Sequence, residues 1–458
     1  MTGQSIPRIS LLVLSWLLLL TGCDALRRSG GTERFIDRPL STPAPLPQFD
    51  YYTPDRLLME NMEYVPNIRT VKLFQPDIEF SMPVLELGSN QQLQLLFDDL
   101  DGTYKEYRYT VVHCDPFWNP SPLRKEEYID GFAEGYIHGF AFSKATRQQY
   151  AHYHALIPDQ DMKLTRSGNY MLLVYPADDP EQIVISRRFM VYESRVKVNG
   201  RARRPSVVEL MRTHQEIDFE IEHSNYQIDN PFTDLMVVVQ QNGRWDNVKY
   251  GVRPRVVTGQ NISYRWEDVV VFDGSNEFRH IDLRSLSRYT PRMAMIHRED
   301  GLNHVFVKPD YKRAYQVYVE DRDINGEFVI SSDDAMQDHN TEADYAWVHF
   351  YMPSQRPLTH GGVYIYGALT NWQLTPDYRL EYNQETATYE IALYLKQGFY
   401  NYKYVLLENA ALTATTAETE GNHFATENVY TVYVYHRKPG DMYHRIIAIE
   451  RVIAPPQP

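Results

Sequence analysis

Residues 107–123 have the sequence YRYTVVHCDPFWNPSPL, which joins a strand pattern to a long loop. Polar and apolar residues alternate between Tyr107 and Val112, and such alternation indicates a strand with one buried face. Tyrosine is unusually frequent in the whole chain, at 35 of 458 residues, and its side chain suits a pleated, half-buried surface. The sequence therefore predicts an all-β protein.

Strand patterns separated by turn signals continue along the chain and fall into three groups. At about 150 residues per domain, a chain of this length suggests three cores. We predict three consecutive immunoglobulin-like (E-set) β-sandwich domains, at 51–194, 195–312 and 313–458. Helical periodicity is absent, and the one short helix expected begins near Ser121-Pro122. The clearest strand patterns lie at 70–74, 93–97, 107–112, 170–175, 188–192, 217–221, 235–240, 345–350, 363–367, 389–395, 400–407, 429–435 and 445–452.

The N-terminal segment differs from the rest of the chain. Arg8 is followed by an uncharged apolar run that ends at Leu20 and is too short to span a bilayer as a helix. The following Thr-Gly before Cys23 resembles the lipobox of bacterial lipoproteins. That resemblance implies a signal peptide at 1–22 and acyl chains on Cys23, whereas the alternatives are an ordinary signal peptide with an incidental cysteine, or a cytosolic protein. Residues 23–50, with several Pro and Gly, then predict an extended tether.

The charge and the cysteines limit the classes of partner. The formal net charge is −14. An acidic body argues against nucleic acid, because phosphate binding needs a basic surface, and against adsorption to anionic lipid by charge alone. Acyl chains on Cys23 would supply membrane attachment instead, at about 0.8 kcal/mol per buried methylene. Cys23 and Cys114 are the chain's two cysteines, so lipidation of Cys23 leaves no disulfide.

Three motifs together resemble one known family. They are Asp98-Asp99-Leu100, the segment 113–154, and Ser167-Gly168-Asn169-Tyr170. On these motifs the chain resembles the plug-protein family of the type IX secretion system, formerly a domain of unknown function, over about residues 50–455. Members of that family associate with the very large outer-membrane β-barrel of the translocon and close its periplasmic opening. One departure is Phe117, at a position where the family more often has Asp.

The resemblance implies a function for this chain. We expect a non-enzymatic periplasmic plug, or gate, that binds and occludes the outer-membrane translocon barrel of the type IX protein secretion system. The expected partners are that barrel and the lipid bilayer, through acylated Cys23, with no nucleic acid and no cofactor. The expected location is the periplasmic side of the outer membrane. Nucleophile-elbow, zinc-protease and phosphate-loop motifs are missing from the sequence, so no catalytic residue is predicted.

The loop around Trp118 is long and rich in aromatic residues. Long ordered loops on a rigid sandwich often carry recognition, and aromatic side chains are enriched in the cores of interfaces. The candidate partner-binding residues are therefore Phe117, Trp118, Tyr128, Phe132 and Tyr136. The alternative is that these side chains point inward and cap the sandwich.

A second resemblance concerns the C-terminal domain. The segment Gly367-Ala368-Leu369-Thr370-Asn371-Trp372, with residues 398–404 later in the chain, resembles starch- and glycogen-binding sandwich modules. In those modules an exposed tryptophan stacks on the apolar face of a sugar ring. The alternative function is therefore a lipid-anchored carbohydrate-binding protein that uses Trp372. A tryptophan at such a position also commonly packs over the edge of a sandwich, so both interpretations stay open.

Two polar clusters raise the question of a metal. The first is His113-Cys114-Asp115 with His152 and His154, which includes zinc-ligand types. Neighbours on a strand point to opposite faces, however, and no paired zinc spacing is present. The second is the acidic run at 98–102, which does not match the twelve-residue calcium loop. We predict no metal site, a network that anchors the loop after Trp118, and a solvated hairpin turn at 98–102.

Overall fold

A computed structural model of the chain describes residues 58–454, which are almost entirely β-structure, so the all-β prediction is confirmed. The predicted signal peptide, Cys23 and the tether lie outside the described residues. The helices in the described range are α1 (Lys125–Tyr128), α2 (Pro231–Asp234) and α3 (His339–Glu342), with 3₁₀ turns at Val208–Leu210, Ala368–Thr370 and Pro376–Tyr378. Between residues 58 and 454, no helix is long and apolar enough to cross a membrane.

Sandwich 1 is formed by residues 62–192. Its strands are β1 (Met62–Glu63), β2 (Ile68–Phe74), β3 (Val84–Glu86), β4 (Leu93–Asp99), β5 (Tyr107–Cys114), β6 (Ile129–Gly131), β7 (Glu134–Ile137), β8 (Gly139–Phe142), β9 (Ala151–Ile157), β10 (Met162–Leu164), β11 (Gly168–Pro176) and β12 (Ile185–Tyr192). One sheet has the order β1-β12-β11-β5-β7, with β3 beside β12, and the facing sheet has the order β2-β4-β9-β8. The alternating apolar residues of both sheets meet between them, where Leu95, Phe97, Tyr109 and Leu172 are fully buried.

Sandwich 2 also begins with consecutive strands, but sandwich 3 then interrupts its sequence. Its first strands are β13 (Lys197–Arg203), β14 (His214–Glu222), β15 (Leu235–Gln241), β16 (Lys249–Val252), β17 (Val256–Thr258), β18 (Asn261–Ser263) and β19 (Val271–Asp273). The chain next forms sandwich 3, from β20 (Arg279–Asp282), β21 (Met293–Glu299), β22 (Leu302–Val307), β23 (Phe328–Ile330), β24 (Tyr345–Pro353), β25 (Gly361–Tyr366), β26 (Glu381–Asn383), β27 (Thr388–Lys396) and β28 (Gly398–Glu408). It then returns to sandwich 2 with β29 (Asn428–His436) and β30 (Arg445–Ala454).

Sheet pairing shows that sandwich 3 is inserted into sandwich 2. The two sheets of sandwich 2 have the orders β13-β14-β18-β17, with β19 beside β14, and β16-β15-β29-β30. Strand β29 pairs with β15 along its whole length, with Val432 opposite Val239. The sheets of sandwich 3 have the orders β20-β28-β23, with β25 beside β28, and β21-β22-β24-β27-β26. Residues 279–408 thus form sandwich 3, and the chain on both sides of them forms sandwich 2.

This arrangement differs from the predicted boundary at residue 312 and from the assignment of residues 428–454 to the third domain. The strands themselves lie where their alternation placed them. Periodicity identifies a strand and its buried face, but it does not identify a pairing partner far away in the sequence. The apolar faces of β29 and β30 would suit either sandwich, so only the structure assigns them.

Tyrosine side chains fill much of the interior. The largest fully buried side chains are all tyrosines, among them Tyr107, Tyr345, Tyr402 and Tyr435. A buried phenol needs a hydrogen-bond partner for its hydroxyl group. The Tyr107 hydroxyl donates to Asp99 Oδ2 (2.9 Å) and the Tyr435 hydroxyl to Asn169 Oδ1 (2.8 Å). The many buried tyrosines are therefore accompanied by buried polar side chains that accept hydrogen bonds from their hydroxyl groups.

Sandwiches 1 and 2 share an apolar interface. Met171 and Leu173 of β11 lie on the outer face of their sheet and pack against residues of sandwich 2 that include Val238, Tyr433 and Ile446. Because β11 is covered on both faces, its side chains are buried along nearly the whole strand. Burial at this interface joins the two sandwiches into one body.

Candidate functional site

The predicted partner-binding loop contains both buried and exposed side chains. Trp118 and Tyr128 are buried. Phe117, Phe132 and Tyr136 are exposed, by 55%, 68% and 44%. Tyr128 therefore packs in the core of sandwich 1, Trp118 packs where sandwiches 1 and 2 meet, and the other three side chains are accessible to a partner.

Each of the three sandwiches contributes one tryptophan to a cleft at their junction. Trp118 belongs to sandwich 1, Trp245 to sandwich 2 and Trp372 to sandwich 3. The rings of Trp118 and Trp245 meet edge to face, with 5.0 Å between centroids and 86° between planes. The guanidinium of Arg188 lies 4.5 Å from the Trp118 centroid and 5.1 Å from the Trp245 centroid, which is cation–π distance. We call the space of about 330 Å³ that these four residues line the tryptophan cleft.

Asp115 fixes the backbone that carries Trp118. Asp115 Oδ1 accepts hydrogen bonds from the backbone N–H groups of Phe117 (2.8 Å) and Asn119 (2.9 Å), which closes a tight turn. Trp118 within that turn has a φ of 69°, in the left-handed region. A non-glycine residue there costs roughly 1–3 kcal/mol, and the Asp115 turn holds it in place. Asp115 thus orients the loop that carries Trp118.

Trp372 is held against the wall of the cleft by other aromatic rings. It follows Asn371, and both residues have positive φ, 52° and 58° in chain order. The Trp372 ring meets Phe278 at 85° and Tyr366 at 75°. A Cβ atom on Gly326 would lie 2.4 Å from the Trp372 ring, so this close packing requires a glycine. The structure places Trp372 in aromatic packing, and stacking on a sugar stays a prediction.

A partly buried triangle of polar groups ties sandwich 1 to sandwich 3 beside the cleft. Arg187 forms an ion pair with Glu63 and donates to Asn371 Oδ1 (3.2 Å). Asn371 Nδ2 in turn donates to Glu63 Oε2 (2.7 Å). Because Asn371 precedes Trp372, this triangle sets the position of the indole relative to sandwich 1.

The turn predicted to be solvated is buried at its first two residues, so that prediction is wrong for Asp98 and Asp99. Asp98 Oδ1 accepts from His152 Nδ1 (2.7 Å), and Asp98 Oδ2 accepts from Lys396 Nζ (2.6 Å) and the Tyr345 hydroxyl (2.7 Å). Burial raises the pKa of the Asp98 carboxyl, but the Lys396 ammonium and His152 lower the pKa further, to below its ordinary value. The sequence could not show this, because Lys396 and Tyr345 come from sandwich 3.

A second group of aromatic side chains lies at an open edge of sandwich 1. Phe140 is on β8, the outer strand of its sheet, opposite the buried Tyr153 on β9. Residues opposite each other on antiparallel strands share a face, so Phe140 and Phe142 continue the core face beyond the sandwich edge. They are 39% and 48% exposed. Tyr104 packs on Phe140, with 4.6 Å between centroids, and Tyr136 lies on β7, the outer strand of the other sheet. We call Tyr104, Tyr136, Phe140 and Phe142 the aromatic flank.

Comparison with known proteins identifies the family. The family model for the type 9 secretion system plug protein 1st domain matches residues 68–193, the part of sandwich 1 from β2 to β12. A crystal structure of a hypothetical protein from Parabacteroides merdae ATCC 43184 is 34% identical, with 87% of this chain and 100% of that chain covered and a TM-score of 0.84. The chain belongs to the type 9 secretion system plug family. This membership links it to type 9 secretion, and it confirms the resemblance found in the sequence.

The remaining comparisons add little to the plug-family assignment. A crystal structure of trypsin-activated alpha-2-macroglobulin from Escherichia coli is 12% identical, covering 85% of this chain and 16% of that one, with a TM-score of 0.16. A likeness this weak carries no argument. No curated protein matches the chain.

The first polar cluster of this plug-family chain has structural contacts. His113 Nδ1 lies 2.8 Å from Ser121 Oγ, in the loop after Trp118, and His113 Nε2 lies 3.1 Å from the Ser167 carbonyl oxygen. Burial lowers the pKa of the His113 imidazole to about 4 and raises the pKa of the Cys114 thiol to about 12. The two side chains are therefore neutral at pH 7. Within residues 58–454, no three His, Cys, Asp or Glu side chains are grouped to hold a metal.

Proposed function

We propose that this chain is a non-enzymatic periplasmic plug that binds the outer-membrane translocon barrel of the type 9 secretion system and occludes it. The observation that carries the proposal is the family match over residues 68–193, supported by the relative that aligns over its whole length. A barrel wide enough for folded proteins leaks small solutes unless a body fills it. A folded body closes such a pore by steric exclusion, without a chemical step.

Occlusion needs a body that resists deformation, and three contacts supply this property. Sandwiches 1 and 2 share the apolar interface of β11 with β15 and β29. Sandwiches 1 and 3 are joined by the buried Asp98–Lys396 ion pair and by the Arg187–Glu63–Asn371 triangle. Because buried polar contacts have fixed geometry, they hold the sandwiches in one arrangement.

The surface proposed to meet the barrel is the aromatic flank. Exposed aromatic groups are enriched in the cores of protein interfaces. Here they lie beside β8, an outer strand whose free edge can also pair with another strand. The exposed loop residue Phe132 lies close in sequence to Tyr136 of the flank. Contact with a protein rim would cover the core-face side chains Phe140 and Phe142, which are exposed among residues 58–454.

Replacement of Phe140 and Phe142 by serine tests this surface. We expect recovery of the barrel protein from outer-membrane extracts, measured by pull-down and mass spectrometry, to fall about tenfold or more, because two anchors worth about 1–2 kcal/mol each are lost. The matched control is Val317→Ser with Val319→Ser, which removes two apolar side chains that are 89% and 73% exposed on sandwich 3. Full recovery with the flank variant, or equal loss with both variants, contradicts the assignment of the flank. Failure to recover any barrel with the unaltered chain contradicts the proposed function.

Attachment to the membrane is the second part of the proposal. Acyl chains on Cys23 would hold the chain at the periplasmic side of the outer membrane, and the tether at 23–50 would confine the folded body near the barrel. Confinement raises the effective concentration without any new contact.

A Cys23→Ser variant tests the anchor. We expect the chain to move from the membrane pellet to the soluble periplasmic fraction, because the acylated residue is lost. The matched control is Cys114→Ser, since Cys114 is a buried free thiol and should not affect fractionation. If the Cys23→Ser chain stays in the membrane fraction after a high-salt wash, acylation is not what anchors it.

A further inference from the structure

Two neighbouring arginines on β12 have different partners. Arg187 is paired with the carboxylate of Glu63. Arg188 has no such partner, because its Nε and Nη2 donate to the Met59 carbonyl oxygen and none of the described carboxylates forms an ion pair with it. The Arg188 guanidinium therefore lies between Trp118 and Trp245 without an ion pair to any carboxylate among residues 58–454, although the charge of Glu60 acts on it from a longer distance.

Burial makes a charged Arg188 side chain without an ion pair unfavourable in the free protein. It lowers the pKa of Arg188 to about 10, although the group is still charged at neutral pH. A partly dehydrated cation is stabilised by an anion that forms hydrogen bonds with it. The cleft around Arg188 has room for such a group, since about 330 Å³ far exceeds the ~30 Å³ share of one water molecule.

The walls and rim of the tryptophan cleft fit a polypeptide. Trp118, Trp245 and Trp372 form its walls, and tryptophan and arginine are the types that dominate binding energy at protein interfaces. The rim carries apolar side chains that face solvent: Leu412, which is 91% exposed, and the contacting pair Phe117 and Tyr250. Polar side chains, among them Asn61 and Gln373, also line the cleft, and the cation of Arg188 favours an acidic protein side chain over an uncharged sugar.

We propose that the tryptophan cleft binds an acidic side chain of a protein partner, with its carboxylate on Arg188 and an adjacent apolar residue against the aromatic side chains at the rim. This inference rests on the proposed function only in that the partner would be a component of the secretion apparatus. It assigns a role to Phe117 and Trp118 of the loop, and it adds Trp245 and Arg188.

Two carboxylates of the chain itself line the cleft and must be considered as competitors. Asp246 is occupied, because Arg244 Nη2 lies 2.6 Å from Asp246 Oδ2 and the Tyr366 hydroxyl donates to Asp246 Oδ1 (2.7 Å). Glu60 lines the cleft without an ion pair to Arg188. An incoming carboxylate therefore competes mainly with Glu60, and removal of that charge should favour binding.

The test uses the full chain labelled with 5-fluorotryptophan and two peptides, acetyl-Phe-Glu-Phe-amide and acetyl-Phe-Gln-Phe-amide. We expect the Glu peptide to shift the ¹⁹F signals of Trp118, Trp245 and Trp372 in a saturable way, with the signals assigned by single Trp→Phe variants. The Gln peptide should bind at least tenfold more weakly, because it lacks the charge. Trp266 and Trp347 do not line the cleft and should not respond. Absence of a saturable shift, or equal binding of both peptides, overturns the proposal.

Variants then locate the carboxylate. We expect Arg188→Gln to weaken binding of the Glu peptide at least tenfold and Glu60→Gln to strengthen it or leave it unchanged. Weaker binding to Glu60→Gln, or unchanged binding to a folded Arg188→Gln chain, overturns the proposal. If the Arg188→Gln chain does not fold, the difference in binding of the two peptides to the unaltered chain still tests the proposal. If the peptide does not bind but the barrel protein is recovered normally, only this inference is contradicted. If the peptide binds but the barrel protein is not recovered, only the proposed function is contradicted.

Discussion

Replacement of Asp98 by asparagine should lower the free energy of unfolding by roughly 3–5 kcal/mol, the range for breaking a buried ion pair from one side. Asp98 and Lys396 are both about 1% exposed in their side chains. Without the carboxylate, the Lys396 ammonium keeps its hydrogen bond to the Asn340 carbonyl oxygen (2.7 Å) but has no charge partner. The measurement is equilibrium unfolding in urea, followed by tryptophan fluorescence.

The same turn provides the control. Asp101 is 51% exposed in its side chain and pairs with Lys105, so Asp101→Asn should cost less than about 1 kcal/mol. Adding Lys396→Met to Asp98→Asn should recover part of the loss, because the buried unpaired cation is then removed. A loss for Asp98→Asn no larger than that for Asp101→Asn would show that the pair does not stabilise the contact between sandwiches 1 and 3.

Replacement of Glu420 by glutamine should have an effect of similar size, again about 3–5 kcal/mol. Glu420 is fully buried and accepts from Arg279 Nε (2.9 Å), Arg313 Nε (2.7 Å) and the backbone N–H of Tyr404 (3.0 Å). Arg279 is the first residue of β20, the first strand of sandwich 3, and Glu420 lies on the segment that connects sandwich 3 back to sandwich 2. The pair therefore joins the outgoing and returning chain at the point of insertion.

Replacement of Glu420 should also change how the free energy of unfolding depends on pH in acid. Burial raises the pKa of the Glu420 carboxyl, but Arg279 and Arg313 lower it further, to about 2 from an ordinary 4.5. The unfolded chain thus binds this proton at a higher pH than the folded chain does. The stability that Glu420 contributes is complete above about pH 4.5 and is lost as the pH falls toward 2. In Glu420→Gln this part of the pH dependence should vanish.

Glu418→Gln is the matched control for both measurements. Glu418 is 39% exposed and pairs with His360 at the surface (2.8 Å), so its loss should cost less than about 1 kcal/mol. Urea unfolding between pH 2 and 7 gives both the stability and its slope. A Glu420→Gln chain with the same slope as the Glu418→Gln chain would contradict a low pKa for Glu420.

Local patterns were sufficient to find most of the strands that have seven or more residues. Alternation at 107–112 predicted β5, and alternation at 389–395 predicted β27. The short helix expected after Pro122 is α1, in which the Glu127 carboxylate accepts from the backbone N–H of Arg124 (2.8 Å). These features depend on neighbours within a few residues, which is the range that periodicity and capping describe.

The features missed in the sequence depend on distant residues. Asp98 was placed in a solvated turn because Asp, Asp and Gly are turn residues, yet two of its three side-chain partners come from β24 and β27 of sandwich 3. The tryptophan cleft was missed for the same reason. Phe117 and Trp118 were singled out together for partner binding and Trp372 for sugar stacking, whereas Trp245 was not singled out. No local signal connects Trp118 with a tryptophan on another sandwich.

The insertion of sandwich 3 also determines when the protein is complete. The ribosome synthesises a chain from its N-terminus, so β29 and β30 emerge last, after the whole of sandwich 3. Until then β15 exposes an unpaired edge, and Trp245 lacks the Tyr433 ring on which it stacks (6.0 Å between centroids). An unpaired edge is open to proteases and to aggregation. A chain that ends before β29 thus has neither a finished second sandwich nor a finished cleft, and the exposed edge of β15 distinguishes it from the full-length product.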